Sequence, residues 1–138
     1  MTKLTAEQDF PKMDVAKLGG GTLTLGQPQE GRDWQLVVVY RGLHCPICKK
    51  YLAQLEKLQS QFHEIGVDVI AVSGDPEEKA KSMAEEDNLT LPIGYDLSLE
   101  QMAELGLYIS DPRSPQETDR PFAEPATFVI NDEGKLQI

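Results

Sequence analysis

Cysteine is scarce in this chain, and its scarcity fixes where sulfur chemistry can occur. Only Cys45 and Cys48 are present, so thiol reactions take place at one spot or nowhere, and a disulfide-stapled scaffold is excluded. Histidine is equally scarce. A zinc site needs about four ligands, and the chain offers two cysteines plus His44 and His63, the latter near the far end of the next helix, so no metal is expected. No apolar run is long enough to cross a bilayer, and residues 1–10 lack the apolar core of a secretory signal, which predicts a cytoplasmic protein with no membrane role. Basic residues number 13 against 23 acidic ones. The resulting net charge of −10 repels phosphate backbones and anionic lipid, so no nucleic-acid partner is expected. Repeats, low-complexity tracts and linkers are missing as well. The 138 residues, 40% of them hydrophobic, are expected to form a single domain spanning 1–138.

The apolar pattern alternates between strands and helices. Residues 1–12 read as a surface arm or short helix. Met13–Leu18 and Thr22–Leu25, around the glycines at 19–21, read as a peripheral hairpin. Trp34–Tyr40 is apolar on both faces, as is a strand inside a parallel sheet, and Val67–Ser73 repeats the pattern. Between them Ile47, Tyr51, Leu55, Leu58, Phe62 and Ile65 fall at steps of three and four, predicting a helix with that stripe inward and Gly66 as its left-handed cap. Asp75-Pro76-Glu77-Glu78 predicts an exposed, acidic helix capped by Asp75 and running to about Asn88. A short strand at 91–95, a short capped helix at 98–105, a long loop at 110–125, a buried strand at 126–130 and the start of an antiparallel mate at 135–138 complete the reading.

The chemistry concentrates where the first buried strand gives way to the helix, at Arg41-Gly42-Leu43-His44-Cys45-Pro46-Ile47-Cys48. With Pro46 as the first helical residue, Cys45 becomes the N-cap and Cys48 lies in the first turn. The unsatisfied N–H groups there favour a thiolate. Arg41, Lys49 and Lys50 add positive charge. Three residues of helix bring the sulfurs close enough for a reversible disulfide, one attacking and the other resolving. His44 is a candidate acid-base or pocket-shaping group. Two inert semi-buried cysteines in a redox-silent interaction module, and a small metal-binding protein, are the competing readings.

The β-α-β unit with C-x-x-C at its helix start, followed by Glu124-Pro125-Ala126-Thr127-Phe128-Val129-Ile130, resembles the thioredoxin superfamily. The hairpin and the Tyr40–Cys48 stretch are most similar to its alkyl hydroperoxide reductase/thiol-specific antioxidant (AhpC/TSA) branch, the peroxiredoxin-like proteins. The resemblance implies an α/β thioredoxin-like fold: a central mixed sheet flanked by helices, extended by the N-terminal hairpin. The final helix of that fold has no counterpart after Ile138, so either the sequence is truncated or a second copy covers that sheet face in a homodimer.

By this resemblance Cys45 matches the thioredoxin nucleophile, Cys48 its resolving partner and Pro125 the cis-proline facing the disulfide, with Thr127 beside it. The peroxiredoxin alignment differs: Cys48 falls on the peroxidatic cysteine, Cys45 on the threonine of P-x-x-x-T-x-x-C, Arg41 on its proline, and Pro125 where an arginine usually stands. The implied activity is thiol-disulfide exchange or thiol-dependent peroxide reduction in antioxidant defence and redox homeostasis. Its substrate would be a disulfide or a peroxide and its electrons would come from a thioredoxin- or glutathione-type reductant. No bound cofactor is required.

Overall fold

A computed structural model describes residues 6–29, 31–114, 118 and 120–137. Its centre is a six-stranded mixed sheet. The strands are β1 (Met13–Lys17), β2 (Thr22–Leu25), β3 (Trp34–Val39), β4 (Val67–Val72), β5 (Ile93–Tyr95) and, last in the chain, β8 (Ala126–Ile130). Their order across the sheet is β2-β1-β5-β4-β3-β8. β3–β4 and β4–β5 are parallel pairs, while β8 runs antiparallel to β3 with Val38 opposite Thr127. The expected hairpin forms the far edge, and the strand that carries the cysteine stretch lies between two neighbours.

Successive side chains of a strand point to opposite faces, and the core divides accordingly. Val37, Val39, Ile70 and Val72 face one layer with Phe10, Met102 and Leu105. Leu36, Val38, Tyr40, Val69 and Ala71 face the other, against α1 (Pro46–Glu64) and α2 (Glu77–Asp87). Both cysteines belong to this second layer. The short helix α3 (Leu99–Glu104) contributes Met102 to the first, and its start carries a capping box between Ser98 and Gln101.

Several expectations are corrected. The inward face of α1 carries Cys48, Leu52 and Leu55, while Ile47 is 75% and Ile65 73% exposed and Tyr51 and Leu58 also face outward. Each residue advances about 100° around a helix, so the neighbouring row 48, 52, 55, 62 competes with 47, 51, 58, 65. Pro46 opens the helix, and the buried row begins two residues later at Cys48. Leu52, fully buried, contributes about 1.5–3 kcal/mol of transfer free energy that Ile47 does not.

Asp75 does not cap α2. Pro76 holds that position without a side-chain bond, and Asp75 is buried under the cysteine loop instead. Phe10, in the expected surface arm, is buried and packs edge-on against Phe128 with ring centroids 5.4 Å apart. The segment expected as a structureless loop opens and closes with a two-stranded ribbon, β6 (Ile109–Ser110) against β7 (Phe122–Ala123). Beyond β8 the turn at 131–134 leads to two isolated bridges, Ile130 to Leu136 and Lys135 to Asp9. The left-handed residues Gly66 and Asn88 end α1 and α2 as expected.

Candidate active site

Three loops meet at the C-terminal ends of β3 and β4. From β3 the chain passes Tyr40, whose N–H donates to the Val72 carbonyl at 3.1 Å, and bends at Gly42 with φ +144°. A side chain there is strained and would displace the Asp75 carboxylate, because an added Cβ would lie 2.6 Å from Asp75 Oδ1. Asp75 Oδ2 in turn accepts the Leu43 N–H at 2.7 Å. Burial pushes the Asp75 carboxyl above its ordinary value, opposed by that hydrogen bond and by the charges of Lys79, His44 and Arg120. The loop before Asp75 is held from outside as well, since Arg120 Nη1 donates to the Gly74 carbonyl at 3.1 Å.

The bend delivers Cys45 to the N-cap of α1, where its Sγ accepts the Cys48 N–H at 3.3 Å. Arg41 Nη1 donates to the same sulfur at 3.8 Å. The guanidinium is held by Glu124, whose Oε1 accepts Arg41 Nε at 2.7 Å while its Oε2 accepts the Ser110 hydroxyl, also at 2.7 Å. The Ser110 bond, followed by Arg41, holds the Glu124 carboxyl below its usual range, so Glu124 is an anion that aims Arg41 at Cys45. Cys45 thus has a cation and a backbone N–H directed at it.

Cys48 differs sharply. Burial, followed by its contact with Cys45, pushes its thiol up to about 11, against a smaller lowering by the Arg41 backbone N–H. Burial therefore works against a thiolate on Cys48, and the two positions of the pair are not equivalent. Both cysteines are buried and neither is in a disulfide.

The two sulfurs line different cavities. Cys45 opens on a polar cavity of about 410 Å³ walled by Arg41, His44, Ser110, Arg113, Phe122 and Glu124 among others. Cys48 opens on an apolar cavity of about 320 Å³ walled by Val38, Tyr40, Tyr51, Pro125, Ala126 and Thr127, with Ile47 bordering both. His44 packs edge-on against Phe122 with ring centroids 4.6 Å apart, in the wall of the Cys45 cavity. Pro46 is exposed at the helix start. Pro125 and Thr127 come to the Cys48 side, but the expected cis bond before Pro125 is not found: no described peptide bond is cis.

Of the lysines counted as part of the charge cluster, Lys49 pairs with Glu86 at 2.8 Å and Lys50 is exposed. His63 lies in the last turn of α1, far along the helix from the cysteines. Among the described residues no three His, Cys, Asp or Glu side chains gather as a metal site would require, and no helix is long and apolar enough to cross a membrane. Sequence reasoning missed Glu124, Ser110 and the buried role of Asp75. The one available signal for Glu124 was an acid placed directly before Pro125.

Comparison with known proteins bears on the family and the fold. A thiol-disulfide oxidoreductase, ResA of Halalkalibacterium halodurans, is 29% identical over 96 residues, covering 69% of this chain and 47% of its own length. The chain thus spans about half of that relative. Among solved structures, a peroxiredoxin-like protein from Aquifex aeolicus superimposes with a TM-score of 0.82 at 20% identity, covering all of this chain and 76% of its own. Peroxidoxin BcpB from Mycobacterium tuberculosis gives 0.79 at 19% identity, covering 95% and 81%. At such identities these structures establish the fold, a thioredoxin-like mixed sheet with flanking helices. The sequence profile of the AhpC/TSA family matches residues 6–138, and the chain belongs to that family of thiol-dependent, peroxiredoxin-like oxidoreductases.

Proposed function

We propose that Cys45 and Cys48 form a redox-active pair in which Cys45 attacks and Cys48 resolves. The observation that carries this reading is the convergence of the Arg41 guanidinium and the Cys48 N–H on Cys45 Sγ, beside a Cys48 thiol pushed up to about 11 by burial. The thiolate is the nucleophile; Cys45 has a guanidinium and a helix-start N–H directed at it, whereas at Cys48 the Arg41 backbone N–H is outweighed by burial.

With a disulfide substrate, the Cys45 thiolate attacks one sulfur, the substrate S–S bond breaks, and the departing sulfur takes a proton. Cys48 then gives up its proton and attacks Cys45 Sγ. The mixed disulfide breaks, the second substrate thiol leaves, and two electrons have passed from the protein to the substrate. With a peroxide, Cys45 attacks oxygen, the O–O bond breaks, and water or an alcohol leaves as a sulfenic acid forms. Cys48 condenses with it, releasing water and leaving the Cys45–Cys48 disulfide. Two equivalents of an external thiol of thioredoxin or glutathione type restore the dithiol. A reducing cytoplasm is the setting that suits such a cycle.

The polar wall around Cys45 favours small polar oxidants, which keeps hydrogen peroxide and low-molecular-weight disulfides together as candidate substrates. The test is thiol counting and intact mass after one equivalent of hydrogen peroxide or oxidised glutathione. The reading expects loss of both free thiols and two hydrogens, reversed by dithiothreitol. Two thiols that persist unchanged under both oxidants would favour the redox-inert module.

A further inference from the structure

The two sulfurs of the pair lie in the walls of different cavities, and the two cavities differ in chemistry. Cys45 faces the one lined by arginine, glutamate and serine. Cys48 faces the one lined by Tyr51, Pro125 and aliphatic groups, with Ile47 and Tyr51 exposed beside it. Once a Cys45–Cys48 disulfide has formed, a reducing thiol must attack one sulfur and expel the other. The better leaving sulfur is the one whose thiolate is better stabilised. Arg41 Nη1 at 3.8 Å and the Cys48 N–H at 3.3 Å both serve Cys45, whereas burial disfavours charge on Cys48. Leaving-group chemistry therefore favours attack on Cys48, which lines a cavity of its own.

We propose that the reductant enters the apolar cavity beside Tyr51 and Pro125 and attacks Cys48 Sγ, so that oxidant and reductant use different faces of the dithiol. The reducing group is a thiol set among apolar neighbours. A polar, anionic thiol such as glutathione gains nothing from the Tyr51 and Pro125 walls and is opposed by the chain's net charge of −10. The inference rests on the reading of Cys45 and Cys48 as a redox pair. The reductant thiolate bonds to Cys48 Sγ, the Cys45–Cys48 bond breaks, and Cys45 leaves as a thiolate. A second reductant thiolate then attacks the reductant sulfur of that adduct. It releases the reductant disulfide, and the Cys48 sulfur takes a proton.

The test uses the full chain, oxidised and shown by mass to have lost two hydrogens, mixed with benzyl mercaptan and quenched within milliseconds by N-ethylmaleimide. Fragment masses of the peptide holding both cysteines then locate the two labels. The benzyl group is expected on Cys48 and the maleimide on Cys45, in roughly tenfold excess over the reverse, because leaving-group stability enters the rate directly. A benzyl group on Cys45, or an even distribution, overturns the proposal. In Tyr51→Glu, reduction by benzyl mercaptan is expected to slow severalfold more than reduction by glutathione, and equal effects on the two thiols overturn the cavity route. If oxidation produces no intramolecular disulfide, the redox-pair reading itself has failed, and this one with it.

Discussion

Replacing Gly42 with alanine is the sharpest perturbation of the scaffold beneath the cysteines. The added methyl would lie 2.6 Å from Asp75 Oδ1, 2.9 Å from Oδ2 and 3.0 Å from Cγ, at a φ of +144°. Holding a non-glycine residue in such a conformation costs about 1–3 kcal/mol. The carboxylate has little room to retreat, since Asp75 is 3% exposed and accepts the Leu43 N–H at 2.7 Å. Displacing it forfeits a further ~1–3 kcal/mol for the buried donor left behind. Together these predict a loss of about 2–6 kcal/mol. Gly66→Ala provides the comparison, because Gly66 also has a positive φ, +80°, but nothing lies within 4 Å of an added Cβ. That variant bears only the left-handed conformation, about 1–2 kcal/mol. In urea unfolding with a slope of about 2 kcal/mol per molar, Gly42→Ala should lower the midpoint by ~1–3 M and Gly66→Ala by ~0.5–1 M. The Gly42 carbonyl accepts the Cys45 N–H at 3.2 Å, so the thiol reactivity of Cys45 should change in Gly42→Ala alone. Equal midpoints for the two variants would refute the claim that Asp75 is locked beneath the bend.

Leu52→Ala should cost ~2–5 kcal/mol and Ile47→Ala less than about 0.5, measured by the same unfolding, because Leu52 is fully buried and Ile47 lies outside the core. Alkylation of the Cys48 thiol by iodoacetamide should rise with pH well into the alkaline range and show no plateau at neutral pH, since burial pushes that thiol up to about 11. Asp75 binds its proton more tightly in the folded chain than in the unfolded one, so its contribution to stability is fully present below its ordinary value of 3.8 and is lost as pH rises through the raised folded value. Asp75→Asn keeps an oxygen for the Leu43 N–H and removes that loss. Its stability relative to the wild type should therefore improve as pH rises above 3.8, and a constant difference between pH 3 and 7 would contradict the burial argument.

The strands of the central sheet were readable because their residues are apolar on both faces, as Val37-Val38-Val39 and Val69-Ile70-Ala71 are, and only a sheet with two covered faces uses such runs. Cys45 at the N-cap was readable because Pro46 marks a first helical residue without a long-range partner being needed. What escaped depends on contacts distant in sequence. Asp75-Pro76-Glu77-Glu78 carries every local mark of a helix start, yet the demand of the Leu43 N–H, 32 residues earlier, takes the carboxylate away. Glu124 reaches Arg41 across 83 residues. The phase of α1 was misread because Cys48 was counted as chemistry when it is also core, which left the outward row from Ile47 to Ile65 as the apparent stripe. The asymmetry of the pair is equally non-local: both cysteines are buried, but the Arg41 guanidinium, held by Glu124, and the Cys48 N–H are directed at Cys45.

The account stands most directly on which sulfur attacks first. Stopped-flow reaction of Cys45→Ser and Cys48→Ser with 5,5′-dithiobis(2-nitrobenzoate) and with hydrogen peroxide at pH 7 measures this in single turnovers. Cys48→Ser is expected to react rapidly and stop at a trapped mixed disulfide or sulfenic acid on Cys45, while Cys45→Ser reacts slowly through its protonated thiol. Rapid reaction of Cys45→Ser together with a sluggish Cys48→Ser would contradict the account and assign the attack to Cys48.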